Sequence, residues 1–273
     1  MEESKIRKPA VAGTFYLSSA QGLKNQIETL IDKKADKLDI IGCVLPHAGY
    51  MYSGGVAAQT VSRIKIKDKV ILLGPNHTGY GANYSIMPEG IWQTPLGEIR
   101  VESNLAKEIL NNSRHLEPDF AAHTYEHSLE VELPFIQYFK GNFEIVPILF
   151  LSDNFAVFKE IGKEIAAAIK KDNLKDSTMM VASSDMTHYE TQEAAQKKDK
   201  EAIQAILELN ADKLIDKIQR LNISMCGYAP VIAMISAAKL LGATTAKLIQ
   251  YQTSGDITGD KSSVVGYAGI LIY

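Results

Sequence analysis

The chain has 273 residues, 46% of them hydrophobic, with 29 basic against 32 acidic side chains and a formal net charge of -3. That is apolar material for a sizeable core and excludes a disordered chain, while charges of both signs along the whole length argue against a nucleic-acid or anionic-membrane surface. MEESKIRKP lacks the apolar run of a signal peptide, and no segment approaches the roughly 20 apolar residues of a membrane span, so a cytoplasmic protein is expected.

Taken in order, Arg7 to Tyr16 (RKPAVAGTFY) carries Pro9 and Gly13 and reads as extended or turning. Ala20 to Lys33 places Leu23, Ile27, Leu30 and Ile31 at helical spacing. A strand from Ile40 to Leu45 ends at Pro46-His47, and Ser53 is the expected N-cap of a small-residue helix, Gly54 to Ile64. Val70 opens the central strand of VILLGPNHTGYG, which breaks at Gly74-Pro75 and delivers Asn76 and His77. Tyr84 to Val101, rich in Pro and Gly, predicts a hairpin, followed by a helix over Asn104 to Asn111. His123 to Lys140 has Leu129, Leu133 and Ile136 on one helical face, with Pro134 expected to kink or restart the helix.

Phe143 to Leu151 is then a strand, Asn154 to Lys171 a helix, and Thr178 to Ala182 a strand that runs into Asp185 and His188. Helices over Gln192 to Leu209 and Ala211 to Leu221 lead to Met225-Cys226-Gly227 and an apolar helix, Ala229 to Leu241. Strands Ala246 to Thr253 and Val264 to Ile272 flank a polar turn, SGDITGDKSS. There is no repeat, linker or low-complexity stretch. The expected fold is one α/β domain over residues 1–273, a largely parallel or mixed sheet flanked by helices.

Three strand ends thus each deliver a histidine: His47, His77 and His188. Ligands of open α/β sheets bind beyond the carboxyl ends of the strands, so these side chains converge on one crevice if the strands are parallel. Imidazoles together with Asp185 and a cysteine suit iron, copper or zinc, whereas magnesium or calcium want mostly oxygen. A lone histidine after a strand is more often a satisfied loop residue than a ligand; convergence is what separates the two readings. Two cysteines, Cys43 and Cys226, are too few for a disulfide framework. Cys226, beside a helix start expected to lower its pKa, is open to two readings, nucleophile or metal thiolate.

A competing pattern is His123-Thr124-Tyr125-Glu126-His127, which fits the inverted zinc-peptidase motif H-x-x-E-H. That chemistry needs both histidines inside one helix, yet Thr124 is a good N-cap that would leave His123 outside. Nucleophile-elbow, phosphate-loop and dinucleotide-binding glycine patterns are absent.

In register and over nearly the whole chain, RKPAVAGTFY, PHAGYMYSGG, GPNHTGYG, EHSLEVELPF, SSDMTHY and Cys226-Gly227 closely resemble the Memo family. That family resembles in turn the class III extradiol dioxygenases of the LigB type, non-haem iron enzymes that open catechol rings. The resemblance places His47, His77 and Cys226 on metal-ligand positions and His188 on an acid–base position, with Asp185 and His127 lining the site. It implies Fe(II) or copper, with zinc as a further candidate, and a redox or oxygen-activating role on an unidentified small molecule. The break is Cys226, which stands where the dioxygenases keep a carboxylate; a softer thiolate means that ring cleavage does not follow from the fold. Asp185 either adds a carboxylate ligand or orients a histidine. The alternative is a non-catalytic metal- or peptide-binding module. Family members are associated with signalling in animals and, in microbes, with AMMECR-like and radical-SAM proteins.

Overall fold

The computed structural model describes residues 5–273. In chain order its strands are β1 (Ile6–Arg7), β2 (Gly42–Leu45), β3 (Lys69–Pro75), β4 (Tyr84–Ile86), β5 (Ile91–Thr94), β6 (Gly97–Val101), β7 (Glu117–Pro118), β8 (Glu144–Phe150), β9 (Thr178–Ser183), β10 (His188–Glu190), β11 (Ala246–Thr253) and β12 (Val264–Ile272). Its helices are α1 (Ala20–Leu30), α2 (Tyr50–Val61), α3 (Ser103–Asn112), α4 (Ala121–Thr124), α5 (Leu133–Phe139), α6 (Phe155–Lys171), α7 (Gln192–Leu207), α8 (Ala211–Leu221), α9 (Tyr228–Leu240) and α10 (Ser254–Thr258).

The strands form one mixed sheet whose main path runs β1-β5-β6-β8-β3-β9-β2-β12-β10, with β11 beside β12 and β4 beside β8. Its centre is parallel: β3 pairs with β8 on one side and β9 on the other, and β9 pairs with β2. Every residue of β2 and β9, and of β3 from Val70 onward, is buried. Uninterrupted burial means that both faces of these strands are covered, which is why they read as continuous apolar runs. Helix α9 is buried nearly all round and crosses α6 closely. At that crossing a Cβ on Gly162 would stand 2.2 Å from the Ala233 carbonyl oxygen. Among the described residues no helix is long and apolar enough to cross a membrane.

Several boundaries differ from expectation. Helix α2 begins at Tyr50, directly after Gly49, and not at Gly54. Ser53 is therefore inside the helix, its hydroxyl donating to the Ala48 carbonyl at 3.0 Å and capping nothing. The helix start is consequently drawn up to the His47 loop. The expected helix from His123 to Lys140 is broken: α4 ends at Thr124, turns occupy residues 125–132, and α5 starts at Leu133 with Pro134 in its first turn. Proline restarts the helix there, where its missing N–H costs nothing. Thr124 is no N-cap; its hydroxyl donates back to the Phe120 carbonyl at 3.3 Å. Two short elements, β10 and α10, lie where the sequence reads as loop, β10 because pairing with β12 supplies hydrogen bonds that local propensity does not forecast.

The amino-terminal segment is fastened by a buried cluster. Arg7 and Glu130, both fully buried, form an ion pair, and the guanidinium also donates to the carbonyls of His123 and Glu126. It lies 4.4 Å from the centre of the Trp92 ring. Glu130 accepts further from the N–H groups of Ala10 (2.8 Å) and Val11 (3.1 Å) and from the Tyr16 hydroxyl. RKPAVAGTFY is thus tied to the turn that follows α4. Glu130→Ala strands a charged guanidinium in the interior, and urea unfolding should show a loss of about 3–5 kcal/mol; an unchanged midpoint would mean that the pair contributes nothing.

Candidate metal centre

Because β9 lies between β3 and β2 and all three run the same way, their carboxyl ends open side by side. From them leave the loops that carry His77, Asp185 with His188, and His47. The turn after α4 adds His127, and the start of α9 adds Cys226. These six residues line one cavity of about 750 Å³, walled further by Phe15, Tyr52, Tyr189 and Tyr267.

His47 is almost fully buried. Its backbone N–H donates to Asp185 Oδ1 at 2.8 Å, its Nδ1 is 2.8 Å from Ser183 Oγ, and its Nε2 is 3.3 Å from Cys226 Sγ. Burial, then the neighbouring His77, His127 and His188, hold its pKa well below that of a free imidazole, so it is neutral and able to ligate. His77 approaches Glu126 through both its backbone N–H and, at 3.0 Å, its Nδ1, which leaves Nε2 to face the cavity. The His77 and His127 rings stack at 4.7 Å between centroids, and His47 and His77 meet edge to face at 5.1 Å.

Donor atoms of His47, His77 and Cys226 all lie within 4.8 Å of one another. Around an ion with bonds of about 2.0–2.1 Å to nitrogen and 2.3 Å to sulfur, tetrahedral geometry separates N from S by about 3.5 Å. The 3.3 Å between His47 Nε2 and Cys226 Sγ fits that spacing. The donor set can therefore hold a transition metal.

His77, Glu126 and His127 form a second group of donors within 4.8 Å. Glu126, however, is spent: besides His77 it accepts the N–H groups of His127 (2.9 Å) and Ser128 (2.8 Å). Burial is the largest influence on this carboxyl and pushes its pKa up. The hydrogen bond and charge of His77, the charge of His127 and the Ser128 N–H outweigh it and hold the pKa at about 2. Glu126 is thus an anion that orients His77.

Asp185 ties the His47 loop to Cys226. It receives the His47 N–H, and its own N–H points at Cys226 Sγ at 3.3 Å. Burial raises its pKa to about 7, against the lowering effect of the His47 and Ala48 N–H groups and of His77. Cys226 departs from expectation. It lies just outside α9, whose N-cap is Gly227, and burial followed by the Asp185 charge pushes its thiol well above the ordinary range. Without a cation it is a thiol, which disfavours the free-nucleophile reading. Gly227 is required here, since a Cβ would come within 2.2 Å of the Ser183 carbonyl oxygen.

His188 donates its backbone N–H to Ser224 Oγ at 2.8 Å, and its Nδ1 is 2.8 Å from the Ser224 carbonyl. A carbonyl can only accept, so Nδ1 carries the proton and Nε2 is left as a base. Tyr189, the next residue, holds φ +59 and is largely exposed at the rim. The H-x-x-E-H reading fails: His123 is fully buried on α4, 6.0 Å from the Trp92 ring, while His127 sits beyond the helix end beside His77. Glu126, Ser183 and Glu132, which support the imidazoles directly or in turn, were not singled out for that role by sequence; an acid beside a histidine in EHSLEVE was the available signal.

Fold and site together define an α/β protein with a histidine–cysteine donor set at the mouth of a parallel sheet. A family model described as Memo-like protein matches residues 7–271. MEMO1 family proteins of Methanosarcina mazei and Methanocaldococcus jannaschii are each 42% identical to it, over 270 and 288 aligned positions, covering 98% of this chain and 99% of the relative. One from Aquifex aeolicus is 41% identical over 269, again covering 98% and 99%. The chain belongs to the Memo family. A crystal structure of an uncharacterized protein from Escherichia coli K12 shares the fold, with a TM-score of 0.60 and 12% identity over 86% of this chain and 100% of the other.

The buried His123 bears on acid stability. Burial, then the Arg7 charge, lowers its pKa to about 3, below the roughly 6.5 of an unfolded imidazole. The unfolded chain therefore gains the proton first, and stability should fall as pH drops from about 6.5 toward 3. His123→Phe should lose less stability between pH 7 and pH 5 than the natural chain in urea titrations; equal losses would clear His123 of this role.

Proposed function

We propose that the chain is a metalloprotein holding iron or copper, with zinc as a further candidate, through His47 Nε2, His77 Nε2 and Cys226 Sγ. The observation that carries this is the meeting of those three donors, each imidazole having its other nitrogen engaged by a hydrogen-bonding group. A bound ion would lower the thiol pKa and supply redox or Lewis-acid chemistry. A structural site is closed by four protein ligands, whereas this donor set opens on a cavity of about 750 Å³. An enzyme acting on a small molecule is therefore favoured over a purely metal-storing or peptide-binding module.

The protein's own groups have separable tasks on this reading. Glu126 and Ser183 fix the ring orientations of His77 and His47. His188, with Nδ1 committed to the Ser224 carbonyl, presents Nε2 to take or return a proton. Asp185 holds the His47 backbone N–H through its carboxyl group and the Cys226 sulfur through its own N–H, and His127 with Phe15, whose rings stand 4.9 Å apart, forms one wall. An accessory place beside AMMECR-like or radical-SAM proteins is carried by the family resemblance.

Anaerobic titration should show about one equivalent of Fe(II), Cu(I) or Zn(II) bound, with Cys226→Ala losing most of it; full loading of that variant would overturn the ligand set. Glu126→Gln should weaken binding about 10–100-fold. Nitric oxide added to the Fe(II) form should give a new EPR signal if coordination positions are open, and its absence would favour the module.

A further inference from the structure

Behind His47, away from the cavity, lies a buried carboxyl group whose protonation state decides what Ser183 can accept. Glu132 is fully buried; its Oε1 is 3.1 Å from Ser183 Oγ, and its Oε2 has no hydrogen-bond partner among the described residues. Among the described residues Ser183 Oγ has three hydrogen-bonding neighbours: the Ser128 carbonyl at 2.7 Å, His47 Nδ1 at 2.8 Å and Glu132 Oε1. A hydroxyl offers one proton and two lone pairs. The Ser128 carbonyl can only accept, so it takes the hydroxyl proton. The two remaining neighbours must then both donate to Ser183, and each can do so only if it carries a proton on the facing atom.

We infer that Glu132 is held as a neutral carboxylic acid whose Oε1–H donates to Ser183, making Ser183 the fixed acceptor of His47 Nδ1–H and leaving His47 Nε2 free toward Cys226. An ionised Glu132 would put two carbonyl-type acceptors on one serine proton and leave a charged Oε2 in the interior without a donor, a costly arrangement. The groups acting on it, Asp185 and the buried Cys43 and Tyr50, offer no cation in compensation. Burial accordingly pushes the Glu132 pKa well above the usual carboxylate range, and Asp185 adds to the rise. The two imidazoles are thereby backed differently: His77 by an anion, His47 by a neutral hydroxyl in a neutral chain. Glu132 is a positioning residue, acting on His47 only through Ser183.

The relation to Nε2 rests on the metal reading, while the protonation of Glu132 does not. Infrared spectra of the metal-free protein and of Glu132→Gln at pH 8 test the latter. The natural chain should show a protonated-carboxyl C=O stretch that the variant lacks, and absence of that difference band overturns the inference. Zn(II) affinity by competition tests the former. Ser183→Ala, which removes the acceptor, should bind about 10–100-fold more weakly. Glu132→Gln, whose amide still donates to Ser183, should stay within about threefold. A Ser183→Ala affinity equal to the natural one, or a Glu132→Gln loss as large as that of Ser183→Ala, would overturn the relay. Should Ser183→Ala not fold, the infrared difference and the Glu132→Gln affinity still decide. Failure of the metal reading looks different: Cys226→Ala would keep its metal while the Glu132 band persists.

Discussion

The site depends on one constraint, the parallel in-register packing of β9 between β2 and β3. Leu73 of β3 and Val44 of β2 both pair with Ala182 of β9, so three loops begin at one height on one edge of the sheet. Neighbouring strands are about 4.8 Å apart, which sets the outer two roughly 10 Å apart. Side chains the length of histidine can then meet from either side. Antiparallel placement of any one of the three would send its loop to the opposite edge and leave the donor set incomplete.

Around that edge, the short stretch from Glu126 to Glu132 carries three buried glutamates in three different environments. Glu130 is paired with Arg7 and receives the amino-terminal segment. Glu126 is kept ionised by converging N–H groups and orients His77. Glu132, without a cation or a second donor among the described residues, is the neutral end of the chain through Ser183 to His47. Glu126 and Glu132 differ because burial alone raises a carboxyl pKa, and only the number and charge of the donors decide whether that rise stands. This stretch also explains why the chain abandons a helix between α4 and α5: turns free the backbone N–H groups of His127 and Ser128 to bind a carboxylate.

Membership of the Memo family and the shared architecture with a distant bacterial protein agree on the scaffold, but a scaffold does not name a reaction. What distinguishes the mouth of this sheet is sulfur. Cys226 softens the donor set relative to an all-nitrogen and oxygen site, and its thiol, raised by burial and by Asp185, is held protonated without a cation beside it. On the proposed metal reading, an ion taken up at this position would displace that proton.

The order of strands and helices, the mixed α/β class and the three strand-end histidines were legible along the chain, because buried strands and amphipathic helices are written in local periodicity. Cys226 was legible as nucleophile or metal thiolate, and only the resemblance chose between the two; His127 stood in a competing motif, since a histidine in a turn and a cysteine before a helix carry no period. Tertiary structure alone decided that His123 is core and His127 is site, although they sit four residues apart in one apparent motif. It alone drew α2 up to His47, placed β9 between its neighbours, and gave Glu126, Ser183 and Glu132 their roles. Those outcomes depend on which backbone and side-chain donors arrive from distant segments, and a hydrogen bond between residues 49 or more positions apart leaves no trace in local spacing.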